Sequence, residues 1–498
     1  MASCRPSARL VRASSIVVAA ALTAGSPALA HAQELSGPRA TAFEMAESVS
    51  AQVEEISQTL WDFSETALRE TRSANYLADL LEEEGFAVER GVADMPTAFV
   101  ATFGSGEPVL GILAEFDALP GVGNAPRPTR APRDDNHPHG HGCGHNLFGA
   151  ASVGSAIALK RTLEREGLEG TIKLYGTPAE ETVVGKVYMA RDGLFDDLDA
   201  SLTWHPGLET EVDNSMSLAM NNFEVEFRGQ AAHGAADPWN GRSALDAIEL
   251  MTEGINLMRE HVRPSARLHY VIADGGGAPN VVPERAKLWM YVRDTSRVAV
   301  ERHYDWLLDI AEAGALGTRT EHEVHLITGV HATLLNRPLQ ENLQRNLELV
   351  GAPDFTEEDQ EWAKRMQRFV GIEEKGFREG IEPLADEPEP AGGGSTDVAE
   401  VSRITPTAQF SVTTAPADVP WHSWATSASH GTDAAVKGAW VATKVLALSG
   451  IDLLTDPDLL ARARAHFGEA MGGEEYVSPL PPGQKPPVPA DVAQGGGG

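Results

Sequence analysis

Between residues 97 and 204, short runs of β-forming residues alternate with helical segments, and a chain that alternates in this way has few folds open to it. Residues 97–103, 109–114, 171–175 and 200–204 read as strands, and 147–165 and 186–192 as helices. Two amphipathic helices over residues 44–86, with Trp61, Phe63, Leu77, Leu80 and Leu81 among their apolar positions, precede them. Strands joined through helices run parallel, so the pattern predicts an α/β fold with a mostly parallel sheet covered by helices. Ligands of such sheets sit just beyond the strand ends, where the notable polar residues of this chain fall.

The alternation breaks near residue 217. A strand (223–227), a helix (243–261), two strands (268–273 and 286–292), a helix (298–313) and a strand (323–327) form a β-α-β-β-α-β unit that reads as an inserted domain over residues 216–330. The first part of the α/β domain then covers residues 40–215 and the second 331–450, where the remaining strand (408–412) and helix (432–448) lie. Residues 353–394 are acidic and punctuated by proline, a lid or a surface insert. Residues 473–498 are rich in Pro and Gly and are expected to be disordered.

The first thirty residues carry Arg5, Arg9 and Arg12, then an apolar run over 16–23, then Ala28-Leu29-Ala30, the layout of a secretory signal peptide. An exported protein, periplasmic or secreted, is expected. No later segment approaches the roughly 20 uninterrupted apolar residues of a membrane span, so none is expected in the mature chain. A formal charge of -32 repels phosphate backbones and argues against nucleic-acid binding. An anionic substrate would need a local basic pocket. Cys4 leaves with the signal peptide, which makes Cys143 the lone mature cysteine and rules out an intramolecular disulfide. A lone thiol in an oxidising compartment calls for burial or ligation.

Chemistry concentrates in His137-Pro138-His139-Gly140-His141-Gly142-Cys143-Gly144-His145-Asn146, four histidines and a cysteine in one turn-rich segment that opens a helix. Imidazole and thiolate bind zinc- or manganese-class cations, and glycines let the backbone wrap an ion. Alone, such a loop also describes a solvated surface that picks up metal adventitiously. Two strand ends add to it: residues 171–175 run into Glu180 and Glu181, and residues 200–204 into His205. Adjacent acids form exposed pairs more often than sites, but at a strand end facing a His/Cys loop one can ligate while its neighbour moves protons. Asp117 ends another strand, and His430 precedes the helix that starts near Thr432.

Asp117-Ala118-Leu119-Pro120, His141-Gly142-Cys143-Gly144-His145, Pro178-Ala179-Glu180-Glu181, Trp204-His205-Pro206 and His430 occur in the order found in the aminoacylase and carboxypeptidase metallohydrolases. Within that family the chain resembles the aminobenzoyl-glutamate hydrolase B-type amidohydrolases. Ala232-His233, Pro279-Asn280-Val281-Val282-Pro283, Gly394-Ser395-Thr396-Asp397-Val398 and His422-Ser423-Trp424 extend the resemblance over most of the mature chain. It implies two divalent ions, Mn or Zn, held by Cys143, His145, Glu181, His205 and His430, with Cys143 able to bridge them. It implies Glu180 as general base for a metal-activated water and Asp117 as support for a ligand. It further implies that the inserted domain dimerises and that His233 reaches the partner's site to stabilise the oxyanion, while Asn280 and Arg293 hold the substrate carboxylate. A second, related subunit is a further expectation. The wider family has histidine two places before the aspartate, where this chain has Glu115, an exchange shared by the amidohydrolase branch. The implied activity is cleavage of an N-acyl amino acid such as aminobenzoyl-glutamate. A secreted dipeptidase or broad N-acyl-amino-acid hydrolase is the alternative, and a non-catalytic metal-dependent binder would have no need of Glu180.

Overall fold

In a computed structural model, residues 35–493 are described, and the expected signal peptide, residues 1–30, lies outside the described residues. Helices α1 (Pro38–Ser48), α2 (Ser50–Phe63) and α3 (Thr71–Glu83) lead into strands β1 (Ala87–Arg90), β2 (Phe99–Ser105) and β3 (Val109–Ala114). Helix α4 (His145–Glu166), β4 (Gly170–Gly176), α5 (Lys186–Arg191), β5 (Ala200–Gly207) and the two-residue β6 (Glu211–Val212) follow. Together with β11 (Thr407–Thr413) these strands form a seven-stranded sheet in the order β1-β2-β4-β3-β5-β11-β6. Its centre, β4-β3-β5-β11, is parallel, and the flanking strands are antiparallel. The sequence alternation predicts this layout, and the central strands are nearly continuous apolar runs because both faces are covered.

A second, fully antiparallel sheet has the order β10-β7-β9-β8, made by β7 (Ala219–Arg228), β8 (Arg267–Asp274), β9 (Arg285–Asp294) and β10 (Glu321–Val330). Helices α6 (Ala244–Met258) and α7 (Arg297–Thr318) cover one face of it and bury Ile248, Met251, Ile255 and Leu307 in a separate core. The chain leaves the large sheet after β6 and returns after β10 into α8 (Arg337–Val350).

Residues 353–394 fold as an excursion around α9 (Glu357–Val370), which opens with a Thr356/Asp359 capping box. The rings of Phe355 and Phe377 stack with centroids 4.4 Å apart, which closes the excursion on itself. After α10 (Val398–Ser402) and β11 come α11 (Trp424–Ser429), α12 (Asp433–Thr455), α13 (Pro457–Met471) and α14 (Ala490–Ala493). Helix α12 is long and apolar enough to cross a membrane, but most of it is buried within the molecule against α4 and the sheet, as a core helix.

Composition misleads at the C-terminus. The segment after Gly472, expected to be disordered, docks as an extended strap from Glu474 onward, with Leu480 buried. Tyr476 Oη donates to buried Glu400 (2.6 Å), and Gln484 Nε2 to the Ile327 carbonyl (2.7 Å). A Pro-rich segment is already extended and stiff, so it loses little conformational freedom on docking, and Lys485, which pairs with Asp94 (2.7 Å), adds to these anchors. Residues 494–498 lie outside the described residues.

Candidate metal centre

The site forms where β3, β4, β5 and β11 end and α4 begins. Gly144, with φ +84, makes the turn into α4, and a Cβ there would stand 2.7 Å from Pro206 and 3.0 Å from His430. Only glycine fits that approach, and the turn sets Cys143 and His145 beside the end of β5. His145 Nδ1 donates to the Asp117 side chain (2.9 Å) and carbonyl (3.1 Å), which turns Nε2 into the site. The other Asp117 oxygen accepts from the backbone N–H of Glu181 (3.0 Å), so one buried carboxylate aligns two candidate ligands. His205 Nδ1 likewise donates to the Pro206 carbonyl (2.6 Å), turning its free Nε2 to within 3.4 Å of Cys143 Sγ. Burial, then the neighbouring His145, pulls His205 down to about 4, so its imidazole is neutral and able to ligate at neutral pH.

Beyond β4, Ala179 adopts φ +62, a conformation disfavoured for a residue with a Cβ. Its N–H is held by the buried carboxylate of Glu70 (2.9 Å), and this pinned turn presents Glu180 and Glu181. Burial raises Glu70 well above the ordinary carboxylate range, with Asp117 adding to the effect. Burial, then Glu115 and Glu181, pushes Glu180 well up. Burial takes Glu181 to about 7 against the opposing pull of His145. Cys143 is a protonated thiol in the free protein, its pKa pushed up first by burial and then by the Glu181 carboxylate.

Among the described residues, three groups of donor atoms lie close enough to share an ion: Cys143, His145 and His205; Cys143, Glu181 and His422; and Glu115, His145 and Glu180. In the first two, Cys143 is common. Metal–ligand bonds of about 2.0–2.3 Å put ligand atoms about 3–4 Å apart, and the Cys143 contacts to His205 (3.4 Å) and His422 (3.3 Å) fall in that span. His145 Nε2 and Glu181 Oε1 are buried without a hydrogen bond. His145 Nε2 stands 3.1 Å from Glu115 Oε2 outside hydrogen-bond geometry, as two donors aimed at a common cation would. Buried Glu115 and Asp117 and partly buried Glu180 and Glu181 meet few cationic partners, and divalent ions would neutralise that excess. The residues present therefore fit a two-cation site.

His430, expected as a ligand, stands outside these donor groups in the structure. Its Nδ1 donates to the His141 carbonyl (2.8 Å) and its Nε2 meets Thr414 Oγ1 (3.2 Å), so both nitrogens are committed and the ring braces the loop. His422, by contrast, joins Cys143 and Glu181 in one of those groups, 3.5 Å from Glu181 Oε2. The other loop histidines also stay out of the donor groups: His141 donates to the Leu60 carbonyl (2.9 Å), and His137 and His139 pack ring against ring. Two further members escaped the sequence reading. Glu70 carries no motif, and Lys186, fully buried, bonds Glu115 (2.6 Å) and Asp397 (2.7 Å) behind Glu180.

A cleft of about 680 Å³ opens over the cluster, lined by Cys143, Glu180, Glu181, His205 and His422 and also by Arg293. Arg293 is mostly buried over the Tyr291 ring, with an unpartnered Nε; burial lowers its pKa. His233 and Asn280 do not line the cleft. They sit together on an exposed rim of the inserted domain, where the Gly234 N–H donates to the Asn280 carbonyl (2.8 Å) and His233 bridges Val281.

The model of peptidase family M20/M25/M40 matches residues 111–447. The B component of the p-aminobenzoyl-glutamate hydrolase of Escherichia coli K12 is 36% identical over 455 residues, covering 86% of this chain and 94% of that protein. The Xaa-Arg dipeptidase of Mus musculus is 27% identical over 470 residues, covering 91% and 97%. Among solved structures, a dinuclear metal binding peptidase from Bacillus subtilis shares the fold with a TM-score of 0.52 at 19% identity, covering 80% of this chain and 99% of its own. Fold, site and relatives agree: the chain belongs to peptidase family M20/M25/M40 and is an amidohydrolase acting on amide bonds.

Proposed function

We propose that the chain is a two-metal hydrolase of N-acyl amino acids, with aminobenzoyl-glutamate as its leading substrate. The observation that carries the reading is the shared thiol: Cys143 belongs to two three-donor groups, with Glu180 beside them. Cys143, His145, Glu181, His205 and His422 would hold two divalent cations, Mn or Zn, whose chemistry is to polarise the scissile carbonyl and acidify a water. Glu180 takes the proton from the attacking water and delivers it to the leaving nitrogen. Its upward-shifted pKa suits both halves of that transfer. Asp117 orients His145 and Glu181. Arg293 on the cleft wall pairs with the substrate carboxylate through its planar donors. The name of the Escherichia coli relative supports both this substrate and a second, related subunit.

The reading includes a homodimer in which His233 and Asn280 serve the partner's cleft. Their rim position away from their own cleft supports it, as do exposed Val271 and Ile272 on the unpaired edge strand β8. Export is part of the reading, on the strength of the N-terminal segment.

A dipeptidase for basic residues is favoured by one observation. Asp213 lines the cleft, and its carboxylate is held by two neutral side chains, Gln409 (2.5 Å) and Ser411 (3.0 Å). Purified protein with its metals measured, assayed with aminobenzoyl-glutamate, other N-acyl amino acids and Xaa-Arg dipeptides, with and without chelator, tests the reading. Chelator-insensitive turnover, or none on any of these substrates, sinks it.

A further inference from the structure

His205 and His145 have their Nδ1 atoms tied to a carbonyl or carboxylate, the usual way a metal-binding imidazole is aimed. His422 has no such bond at Nδ1 among the described residues. It sits on the loop between β11 and α11, with positive φ at Asp418 (+61) and at His422 itself (+54). A half-exposed ring on a turn of this kind takes its position from whatever holds the loop.

What holds it is the excursion around α9. Gln367, fully buried, donates from Nε2 to the carbonyls of Ala417 (2.8 Å) and Gly376 (3.3 Å), and its Oε1 accepts from the Gly376 N–H (2.8 Å). The Ala417 N–H bonds back to the Gly376 carbonyl (2.9 Å), which closes a cross-link between excursion and loop. Outside it, Lys375 (2.6 Å) and Arg378 (3.1 Å) pair with the Asp418 carboxylate. Beneath it, Met366 packs with Ala415, Val419 and Trp421.

We infer that the segment 353–394 is a clamp that aims His422, with Gln367 as its principal positioning residue, and that it thereby sets the affinity of one of the two cation positions. The inference rests on the assignment of His422 as a ligand.

Calorimetric titration of the metal-free protein with Zn²⁺ and Mn²⁺ tests it, with the thermal midpoint of each metal-free variant alongside. His422→Ala is the reference and loses one of two binding events. Gln367→Met removes the donor at near-constant volume and weakens that same event by about 10–100-fold, the usual cost of an orienting partner, while the other event holds and the metal-free midpoint falls only as far as the lost buried hydrogen bonds require. Lys375→Glu with Arg378→Glu, both at the surface, turns attraction to Asp418 into repulsion and weakens the same event even if Gln367→Met fails to fold. Unchanged titrations of both clamp variants beside a deficient His422→Ala overturn the clamp. Equal loss of both events together with a lower midpoint also overturns it, because that marks general destabilisation. If His422→Ala binds both ions normally, the ligand assignment fails and takes the clamp with it.

Discussion

His422 Nε2 lies 3.3 Å from Cys143 Sγ across 279 residues of sequence, whereas His430, eight positions further on, faces a carbonyl and a hydroxyl. The two histidines therefore part company on mutation. His422→Ala loses metal with little change in the stability of the metal-free protein. His430→Ala keeps its donors but strands the His141 carbonyl and Thr414 hydroxyl in the interior, at a cost of about 1–3 kcal/mol. Metal analysis beside urea unfolding separates them, and loss of metal in His430→Ala without destabilisation contradicts the assignment.

The adjacent carboxylates divide in the same way. Glu181 shares a donor group with Cys143 and His422 and is aligned by Asp117, whereas Glu180 shares one with Glu115 and His145, apart from the thiol. Glu180→Gln keeps both ions and loses about 10²–10⁴-fold in turnover, and Glu181→Gln loses an ion. Elemental analysis showing the reverse exchanges the two roles.

Cys143 makes metal binding depend on pH in a direction that can be worked out. Burial and Glu181 keep the thiol protonated in the free protein, and ligation demands the thiolate, so loading expels a proton. Apparent affinity then rises with pH from 6 to 8. Titrations in buffers of different ionisation enthalpy count the protons, and Cys143→Ser releases fewer. Equal release from both proteins removes the thiol from the site.

What the sequence made legible follows from physics that is local. Apolar runs such as residues 109–114 and the alternation around them announce a parallel sheet, and the candidate ligands at 143, 145, 181 and 205 stand at its strand ends. His422 was visible within its matching motif, but choosing it over His430 needed the path of the 414–423 loop, which positive φ values shape and no periodicity reports. Glu70 and Lys186 were hidden for another reason: a buried ionisable group is defined by partners distant in sequence, here Ala179 and Asp397. The docked tail escaped because composition records flexibility in isolation and not anchors such as Tyr476 and Gln484.

Lys186 is the test of that hidden network. Burial works against its charge, but Asp397 and Glu115 outweigh it and hold the ammonium ionised. Lys186→Met leaves two carboxylates buried without their partner, at a cost of about 3–5 kcal/mol. Asp397 is raised to about 6, by burial first, with Lys186 restraining the rise. An acid raised in the fold stabilises it below its unfolded pKa, and that contribution is lost as pH climbs through the folded value. Without Lys186 the folded value moves higher still, so the deficit of Lys186→Met is larger at pH 8 than at pH 5. Urea unfolding at the two values checks this, and a deficit independent of pH contradicts the network.

The rim position of His233 leads to the remaining prediction. His233 and Asn280 share one exposed edge of the inserted domain, and neither lines the cleft of its own chain. If His233 completes the partner's site, Glu180→Ala and His233→Ala dimers are each nearly inactive. A mixed dimer owns one intact site, made of Glu180 from one chain and His233 from the other. Random exchange makes about half the dimers mixed, each with one of two sites working, so activity recovers to about a quarter of the wild-type value. A histidine that serves its own chain gives two inactive parents and no recovery, and a surface histidine leaves His233→Ala active from the start. Subunit exchange verified by mass, followed by assay, separates the three outcomes, and the absence of recovery removes the shared site.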